Sequence, residues 1–242
     1  MLNDKHFTAI VLAAGSGSRM NSDIPKQYMD LDGMEVIYYS LDEFQKSEVD
    51  DIVLVTRKED IEYCRKSIVE KYGFTKVKTI VEGGSERYWS VRNGLAAVEE
   101  SEYVLIHDGA RPCIDQEMIR RLMEEVIVNG ACTVGVPAKD TIKVVDDDCF
   151  GIDTPDRNTL WQVQTPQAFD YADLMRAYDE MQRDNNLKVT DDTMIIEKYI
   201  GRKSKLIFGD YKNIKITTPE DIEVAKIFLK KIKKVVDIDI VM

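Results

Sequence analysis

The segment FTAIVLAAGSGSRM, residues 7–20, is the most informative part of the sequence about its fold. It begins with a short apolar run, residues 7–12, and passes directly into small residues and glycine. Such a run is typical of a buried parallel strand that ends in a tight turn. Further runs of strand length follow, and amphipathic segments separate them. The strands are predicted at 7–12, 52–56, 77–81, 103–106 and 133–136, and the helices at 36–45, 59–71, 87–99 and 116–128.

This alternation predicts an α/β fold with a doubly wound, mostly parallel sheet and helices on both faces. The pattern changes after Pro137, where two alternating runs, 141–146 and 160–164, flank a turn-rich segment and predict a β-hairpin. We expect the hairpin to project within an arm at 138–164, where a second subunit would cover it. Helices at 171–182 and 191–199, a strand at 205–208 and a last helix to about 236 complete one domain, 1–236, followed by a tail at 237–242.

The composition argues against several classes of protein. The chain has 242 residues and a net charge of −11, which disfavours nucleic acid as a partner. No apolar run approaches the roughly 20 residues that cross a membrane, and the N-terminus lacks the features of a signal peptide. The four cysteines have no metal-ligand spacing, and two histidines leave little for a zinc site. We therefore expect a cytoplasmic protein with reduced thiols and no membrane partner.

The segment AAGSGSRM at 13–20, with PKQ at 25–27, predicts a phosphate-binding site. Small residues let backbone N–H groups approach phosphate oxygens, and Arg19 and Lys26 add positive charge. A dinucleotide loop would need a third glycine where Met20 stands, and the lysine of a Walker loop is absent. Taken alone, a G-x-G is more often an ordinary turn after a strand.

The longer string resembles the signature of the sugar-phosphate nucleotidyltransferases, specifically their methylerythritol phosphate cytidylyltransferase branch. Further segments resemble that branch in the same order, over about residues 9–231. They are GGSER at 83–87, SV at 90–91, HDGARP at 107–112, KDTIK at 139–143, DRN at 156–158, TPQ at 165–167 and NIKIT at 213–217. The resemblance implies a Rossmann-like nucleotidyltransferase that transfers CMP from CTP to a polyol phosphate, with Mg²⁺ as cofactor and a homodimer formed through the arm.

The resemblance also implies roles for individual residues. Arg19 and Lys26 would hold the triphosphate, while Lys215 and an Arg157 from the neighbouring subunit would position the acceptor phosphate. Asp108 would bind Mg²⁺. The implied nucleotide-binding residues are Ala13, Ala14, Gly15, Gly17, Arg19, Lys26, Gly83, Gly84, Ser85, Ser90 and Gly109. The implied acceptor-binding residues are Asp108, Arg111, Thr141, Arg157, Thr165, Thr190 and Lys215.

Two positions depart from the family, which often has an acidic residue at Ser85 and alanine at Gly109. The reaction needs no general base, because a phosphate monoester has its second pKa near 6 and is largely dianionic at neutral pH. That agrees with a chain in which no Ser-His-Asp or Cys-His arrangement is apparent.

Three other functions fit the sequence less well. Ribitol 5-phosphate cytidylyltransferases often have AGG in the first loop and Ser-Val before Arg-Pro, where this chain has AAG and GARP, so methylerythritol phosphate is favoured. A non-catalytic nucleotide-binding protein should have lost at least one charged residue of the phosphate site. This chain retains all four: Arg19, Lys26, Asp108 and Lys215. A dehydrogenase is disfavoured because Arg57 and Lys58 stand where an acidic ribose ligand would follow the second strand.

Overall fold

The structure is a computed structural model that describes residues 2–15, 20, 22, 24–184 and 189–239, with side chains described up to residue 230. Its strands are β1 (Phe7–Ala13), β2 (Asp30–Leu31), β3 (Met34–Glu35), β4 (Asp51–Thr56), β5 (Val77–Glu82), β6 (Tyr103–Asp108), β7 (Ala131–Pro137), β8 (Val144–Val145), β9 (Gly151–Asp153), β10 (Trp161–Asp170) and β11 (Lys205–Phe208). Its α-helices are α1 (Val36–Lys46), α2 (Ile61–Tyr63), α3 (Arg87–Ala96), α4 (Gln116–Asn129), α5 (Tyr171–Met181), α6 (Asp192–Tyr199) and α7 (Pro219–Asp239).

Within the described residues, seven strands form one sheet in the order β11-β7-β10-β6-β1-β4-β5. Strands β6, β1, β4 and β5 are parallel, as the sequence predicted, and β11 is parallel to β7. Strand β10 runs antiparallel to both of its neighbours, β6 and β7. Because parallel strands end at the same edge, the loops after β1 and β6 meet there: Leu12 is the register partner of Asp108.

Strand β1 is buried on both faces, which explains its continuous apolar run. Phe7 and Val11 pack into the core beneath α1 and α4, while Ile10 packs on the other face with residues of α3, α5 and α6. Helices cover both faces of the sheet, so the doubly wound architecture is confirmed. Among the described residues, no helix is both long enough and apolar enough to cross a membrane.

The predicted pairing of the hairpin is wrong. The short strand β8 pairs with β9, not with the run at 160–164. That run belongs to β10, which lies inside the main sheet and is buried from Gln164 onward. Its polar–apolar alternation reflects only the exposed end of a strand whose remaining residues are buried, so a local period could not reveal the long-range pairing.

Three smaller differences concern one edge strand and two helices. Strand β5 lies at the sheet edge and is only partly buried, whereas the sequence predicted a fully buried strand. The helix predicted at 59–71 is divided into a 3₁₀ turn, α2 and a π-helical segment, Cys64–Glu70. The last helix continues to Asp239, past its predicted end, and the rest of the predicted tail, 240–242, lies outside the described residues.

Candidate active site

A cleft of about 320 Å³ opens at the edge of the sheet where β1 and β6 end. It collects residues from the glycine loop, the turn after it, the start of α3, the end of β6 and the segment before α7. Its lining residues are Leu12, Ala13, Ala14, Gly15, Lys26, Gln27, Gly84, Ser85, Glu86, Arg87, Ser90, Asp108, Ala110 and Lys215. Nine of the residues implied by the resemblance are in this set, although they are scattered over some two hundred positions of the chain.

The turn that carries Lys26 is fixed to the glycine loop by its neighbour Gln27. The Gln27 side chain is 2% exposed, and its amide nitrogen donates to the carbonyl oxygens of Ala13 and Gly15. Next to it, the buried Tyr28 hydroxyl forms a hydrogen bond with Thr56 at the end of β4. These contacts position Lys26 at the cleft. Arg19 and Gly17, both predicted to bind the nucleotide, lie outside the described residues.

The opposite wall is the turn before α3. The Gly83 N–H donates to the Thr56 carbonyl at 2.7 Å, and the Gly84 N–H donates to Ser90 Oγ at 3.1 Å. A β-carbon at Gly83 would collide with the Ala14 side chain and with Ser90 Oγ. Glycine is therefore needed here, because the two walls of the cleft meet without room for a side chain.

Asp108 is the centre of charge in the cleft. Its Oδ2 lies 2.8 Å from Lys215 Nζ and 3.9 Å from Arg111 Nε, and its Oδ1 accepts a hydrogen bond from Arg87 Nε at 3.1 Å. Burial alone would raise the pKa of Asp108, but the charges of Arg87, Lys215 and Arg111 outweigh burial and hold that pKa well below its usual range. Asp108 is therefore ionised at neutral pH, with an excess of positive charge around it.

A buried hydrogen-bond chain supports Asp108 from below. The Asp108 N–H donates to Thr165 Oγ1 at 3.0 Å, and that hydroxyl also lies 3.1 Å from His107 Nδ1. Burial lowers the pKa of His107 to about 3, so its ring is neutral at pH 7. Thr165 was predicted to touch the acceptor, but its hydroxyl already has two partners and its residue is 5% exposed.

Arg111 is also held in place by the protein. Its Nη1 donates to the Asn213 carbonyl at 2.8 Å, and Asn213 Nδ2 in turn donates to the Thr165 carbonyl at 2.9 Å. Burial lowers the pKa of Arg111, with Asp108 opposing that effect. Arg111 therefore contributes fixed positive charge behind Asp108, and its side chain links Asp108 of β6 to the segment that carries Lys215.

The other predicted residues lie away from the cleft lining. Thr141 and Arg157 are exposed on the arm segment, where Arg157 Nη1 donates to the Lys139 carbonyl at 2.9 Å. Thr190 is exposed just before α6. The Gly109 N–H is used by the Leu12 carbonyl at 2.9 Å, so this backbone donor is engaged within the sheet edge. Within this chain, Thr141, Arg157 and Thr190 are not brought to the cleft, and Gly109 lies between two of its lining residues.

The sequence assigned no role to Arg87, Asp192 or Gln27, which the structure connects to the site. Arg87 Nη1 donates to Asp192 Oδ2 at 2.8 Å across 105 positions of sequence. In the sequence, Arg87 was only part of the GGSER segment, and Asp192 only an acidic residue at a helix start. Gln27 belongs to the PKQ segment, and its position next to Lys26 was the only sequence feature that pointed to a role in the site.

The comparisons with known proteins agree with one another. The family model described as IspD: 2-C-methyl-D-erythritol 4-phosphate cytidylyltransferase matches residues 7–231. The cytidylyltransferase of that name from Lachnospira eligens is 55% identical over 225 residues, which cover 92% of this chain and 99% of that protein. The one from Lachnoclostridium phytofermentans is 49% identical over 224 residues, 93% of this chain and 96% of that protein.

Solved structures give the same result. The Francisella tularensis 2-C-methyl-D-erythritol 4-phosphate cytidylyltransferase is 31% identical, with a TM-score of 0.77 over 92% of this chain and 99% of that chain. A synthase of 4-diphosphocytidyl-2C-methyl-D-erythritol from Anaerococcus prevotii is 37% identical, with a TM-score of 0.82 over 93% of this chain and 96% of that chain. On these matches, the chain belongs to the IspD family of 2-C-methyl-D-erythritol 4-phosphate cytidylyltransferases.

Proposed function

We propose that this protein transfers CMP from CTP to 2-C-methyl-D-erythritol 4-phosphate and releases pyrophosphate. The observation that carries the proposal is the convergence of Lys26, Arg87 and Lys215 on one cleft beside a glycine loop, with Arg111 behind Asp108. The reaction brings two polyanions together, so the enzyme must supply positive charge at their meeting point. Membership of the IspD family supports the same reaction.

In the proposed reaction, an oxygen of the acceptor phosphate attacks the α-phosphorus of CTP. The new bond joins that oxygen to the α-phosphorus, and the bond to the β-phosphate oxygen breaks with its electron pair, which gives pyrophosphate. No proton is removed from the nucleophile, because the acceptor phosphate is already mostly dianionic at neutral pH. The neutral, fully buried His107 is consistent with chemistry that uses no histidine base.

The roles of the cleft residues follow from their positions. Lys26 and Arg19 would bind the triphosphate above the loop at residues 13–15, where backbone N–H groups are available to phosphate oxygens. Lys215 would take the acceptor phosphate, since its flexible stem lets it leave Asp108. On the other wall, Gly83, Gly84 and Ser85 would contact cytosine largely through backbone carbonyl groups, because the N–H groups of Gly83 and Gly84 already donate to Thr56 and Ser90.

We propose Mg²⁺ as the cofactor, with Asp108 as its protein ligand. Among the described residues, no cluster of three or more His, Cys, Asp or Glu side chains could hold a metal alone. The donor set nevertheless fits, because Mg²⁺ is commonly held by one or two carboxylates together with substrate phosphates and water. When bound, the ion would neutralise charge on the phosphate oxygens. Lys215 and Arg87 would still balance the Asp108 charge in the free protein.

Several expectations from the sequence stay predictions. They are the single domain, the cytoplasmic location, the homodimer whose arm brings Arg157 to the neighbouring cleft, and the contact of Thr141 with the acceptor. Exposed apolar side chains on the arm support the homodimer: Phe150 is 71% exposed and Ile152 is 65% exposed. Thr190 would border the acceptor from its place beside α6.

The proposal is tested by pyrophosphate release from the purified protein with Mg²⁺. Each of CTP, UTP, ATP and GTP is paired with methylerythritol phosphate, and CTP is also paired with ribitol 5-phosphate and with no acceptor. We expect release with CTP and methylerythritol phosphate at least tenfold faster than with any other pair. Faster release with ribitol 5-phosphate would reassign the acceptor, and none with any pair would contradict an enzymatic role.

A further inference from the structure

We propose that Arg87 is a positioning residue for this reaction: it fixes the carboxylate of Asp108, and the buried carboxylate of Asp192 keeps Arg87 in that place. This inference rests on the proposed function and deepens it. The residues come from three separate elements, since Arg87 begins α3, Asp108 ends β6 and Asp192 begins α6.

The guanidinium of Arg87 connects two carboxylates. Its Nε donates to Asp108 Oδ1 at 3.1 Å, and its Nη1 donates to Asp192 Oδ2 at 2.8 Å. A planar guanidinium with donors in a fixed fork can hold both contacts at once, which a lysine ammonium on a flexible stem does not reproduce. The contact to Oδ1 leaves Oδ2 facing Lys215, so Arg87 determines which carboxylate oxygen is presented to the cleft.

Asp192 is itself fixed by the core. It is fully buried, its Oδ1 accepts a hydrogen bond from the Tyr178 hydroxyl at 2.6 Å, and its backbone N–H donates to Gln167 Oε1 at 3.1 Å. A buried carboxylate is stable only while it is paired and hydrogen-bonded. Movement of Arg87 away from Asp192 would leave this charge unpaired, so Asp192 strongly opposes such movement.

The cleft gives a physical reason for this anchor. Arginine binds phosphate bidentately, and Arg87 lines the same cleft as Lys26 and Lys215, where two polyanions must bind. An unanchored guanidinium would be drawn to those phosphates and would release Asp108. The side chain of Lys215 is 35% exposed, so it can change partners. In Arg87, Nε and Nη1 each donate to a different carboxylate, so its guanidinium is held in place. The Asp108 carboxylate is therefore paired with one exchangeable cation, Lys215, and with two cations that the protein holds in place, Arg87 and Arg111.

The test is a double-mutant cycle with Arg87→Lys, Asp192→Asn and the double variant, measured at saturating substrates. We expect each single variant to lower kcat at least tenfold while the KM for CTP stays within threefold. If Asp192 acts through Arg87, the double variant should have a kcat within threefold of the slower single variant. Fully multiplicative losses would overturn the link, and a kcat within twofold of wild type for either single variant would overturn the positioning role.

Matched controls separate positioning from loss of fold. Arg92 and Asp179 form an ion pair of 3.1 Å that also links α3 to another helix, α5, outside the cleft lining. Arg92→Lys and Asp179→Asn should leave kcat within twofold. Tyr171→Phe removes a hydroxyl bond to the Leu95 carbonyl, which also links α5 to α3 but does not involve Asp192, so it should lower Tm with kcat within twofold.

The controls also define a second way in which the inference fails. If Tyr171→Phe lowers kcat as much as Asp192→Asn does, at a similar loss in Tm, stability alone explains the cycle and the inference is wrong. A wild-type protein that makes no product would instead overturn the proposed function, and this inference with it. An active wild type with unaffected Arg87 and Asp192 variants would overturn the inference alone.

Discussion

Lys215 Nζ lies 2.8 Å from Asp108 Oδ2, which pairs the proposed phosphate-binding lysine with the proposed metal ligand. The two residues come from the segment before α7 and from the end of β6. In the absence of substrates, Lys215 and Asp108 form an ion pair in which each partly neutralises the charge of the other. The arrival of a phosphate dianion would offer Lys215 a partner of higher charge, and Asp108 would remain paired with Arg87.

Replacement of Lys215 should impair use of the acceptor while the fold survives. We expect Lys215→Met to lower kcat/KM for the acceptor phosphate about a hundredfold, the scale for loss of one charged contact to the reacting groups. Asp108 would still have Arg87 and Arg111 as partners, so Tm should change little. Steady-state kinetics at varied acceptor concentration give the measurement. The control is Lys212→Met, which removes a lysine of the same segment that pairs with Asp210 instead.

The Lys26→Ala variant tests the triphosphate side of the cleft. We expect turnover to fall roughly a hundredfold or more, because a transition-state charge contact is removed. Circular dichroism and Tm should match those of wild type. Lys66→Ala is the control, since Lys66 is exposed and faces Glu62 on another surface. Turnover of Lys26→Ala within a few-fold of wild type would contradict its role.

Gln27 should influence CTP affinity although it makes its described contacts only within the protein. In Gln27→Glu, a buried carboxylate would face the carbonyl oxygens of Ala13 and Gly15, where an amide now donates. We expect the KM for CTP to rise about tenfold or more and the KM for the acceptor to change less than threefold. Loss of the donor should also lower the free energy of unfolding by about 1–3 kcal/mol.

The control for this prediction is Gln45→Met, because Gln45 forms its hydrogen bonds with Thr75 and Lys76 on the surface. An equal rise in both KM values for Gln27→Glu would indicate general damage to the site. Unchanged values would show that the loop keeps its shape without Gln27.

Asp221 gives a prediction about pH and stability. Its Oδ2 accepts hydrogen bonds from the N–H groups of Thr217 and Thr218, directly after Lys215 and Ile216. Burial would raise the pKa of Asp221, but these hydrogen bonds outweigh burial and lower it. A folded-state pKa below the unfolded value of about 3.9 adds stability above that pH, and the contribution is lost as pH falls through the folded pKa.

We therefore expect Asp221→Ala to lower the free energy of unfolding by about 1 kcal/mol at pH 7, or about 2–4 °C in Tm. The difference from wild type should narrow as the pH falls below 4. Thermal unfolding at several pH values gives the measurement, with Glu223→Ala on the same helix as control. A Tm difference that stays constant from pH 7 to pH 3 would contradict this explanation.

Much of the fold and part of the candidate site were predictable from the sequence, for identifiable physical reasons. Strand β1 is buried on both faces, so its continuous apolar run and its glycine loop were visible locally. Strand β10 was missed as a member of the main sheet, because its position depends on pairing with β6 and β7, which no local period encodes. Local sequence signals therefore predicted where strands and helices lie along the chain better than which strands are adjacent in the sheet.

The same distinction applies to the site. Lys26 and Asp108 stand in motifs that can be read directly, and the structure brings both to the cleft. The Arg87–Asp192 pair joins distant segments whose side chains could equally have been solvated helix-start residues. Gln27 stands beside Lys26 in sequence, but its buried contacts with the loop depend on how the turn folds back.

Whether the charged cleft joins CTP to a polyol phosphate can be observed by ³¹P NMR. The spectrum of CTP, Mg²⁺ and methylerythritol phosphate would be followed after addition of the wild-type protein. We predict that the acceptor monoester and CTP signals decrease together, while two coupled diphosphate diester resonances and pyrophosphate appear in equal amounts. CTP converted to CMP and pyrophosphate with the acceptor unchanged, or a spectrum that does not change, would contradict the proposed reaction.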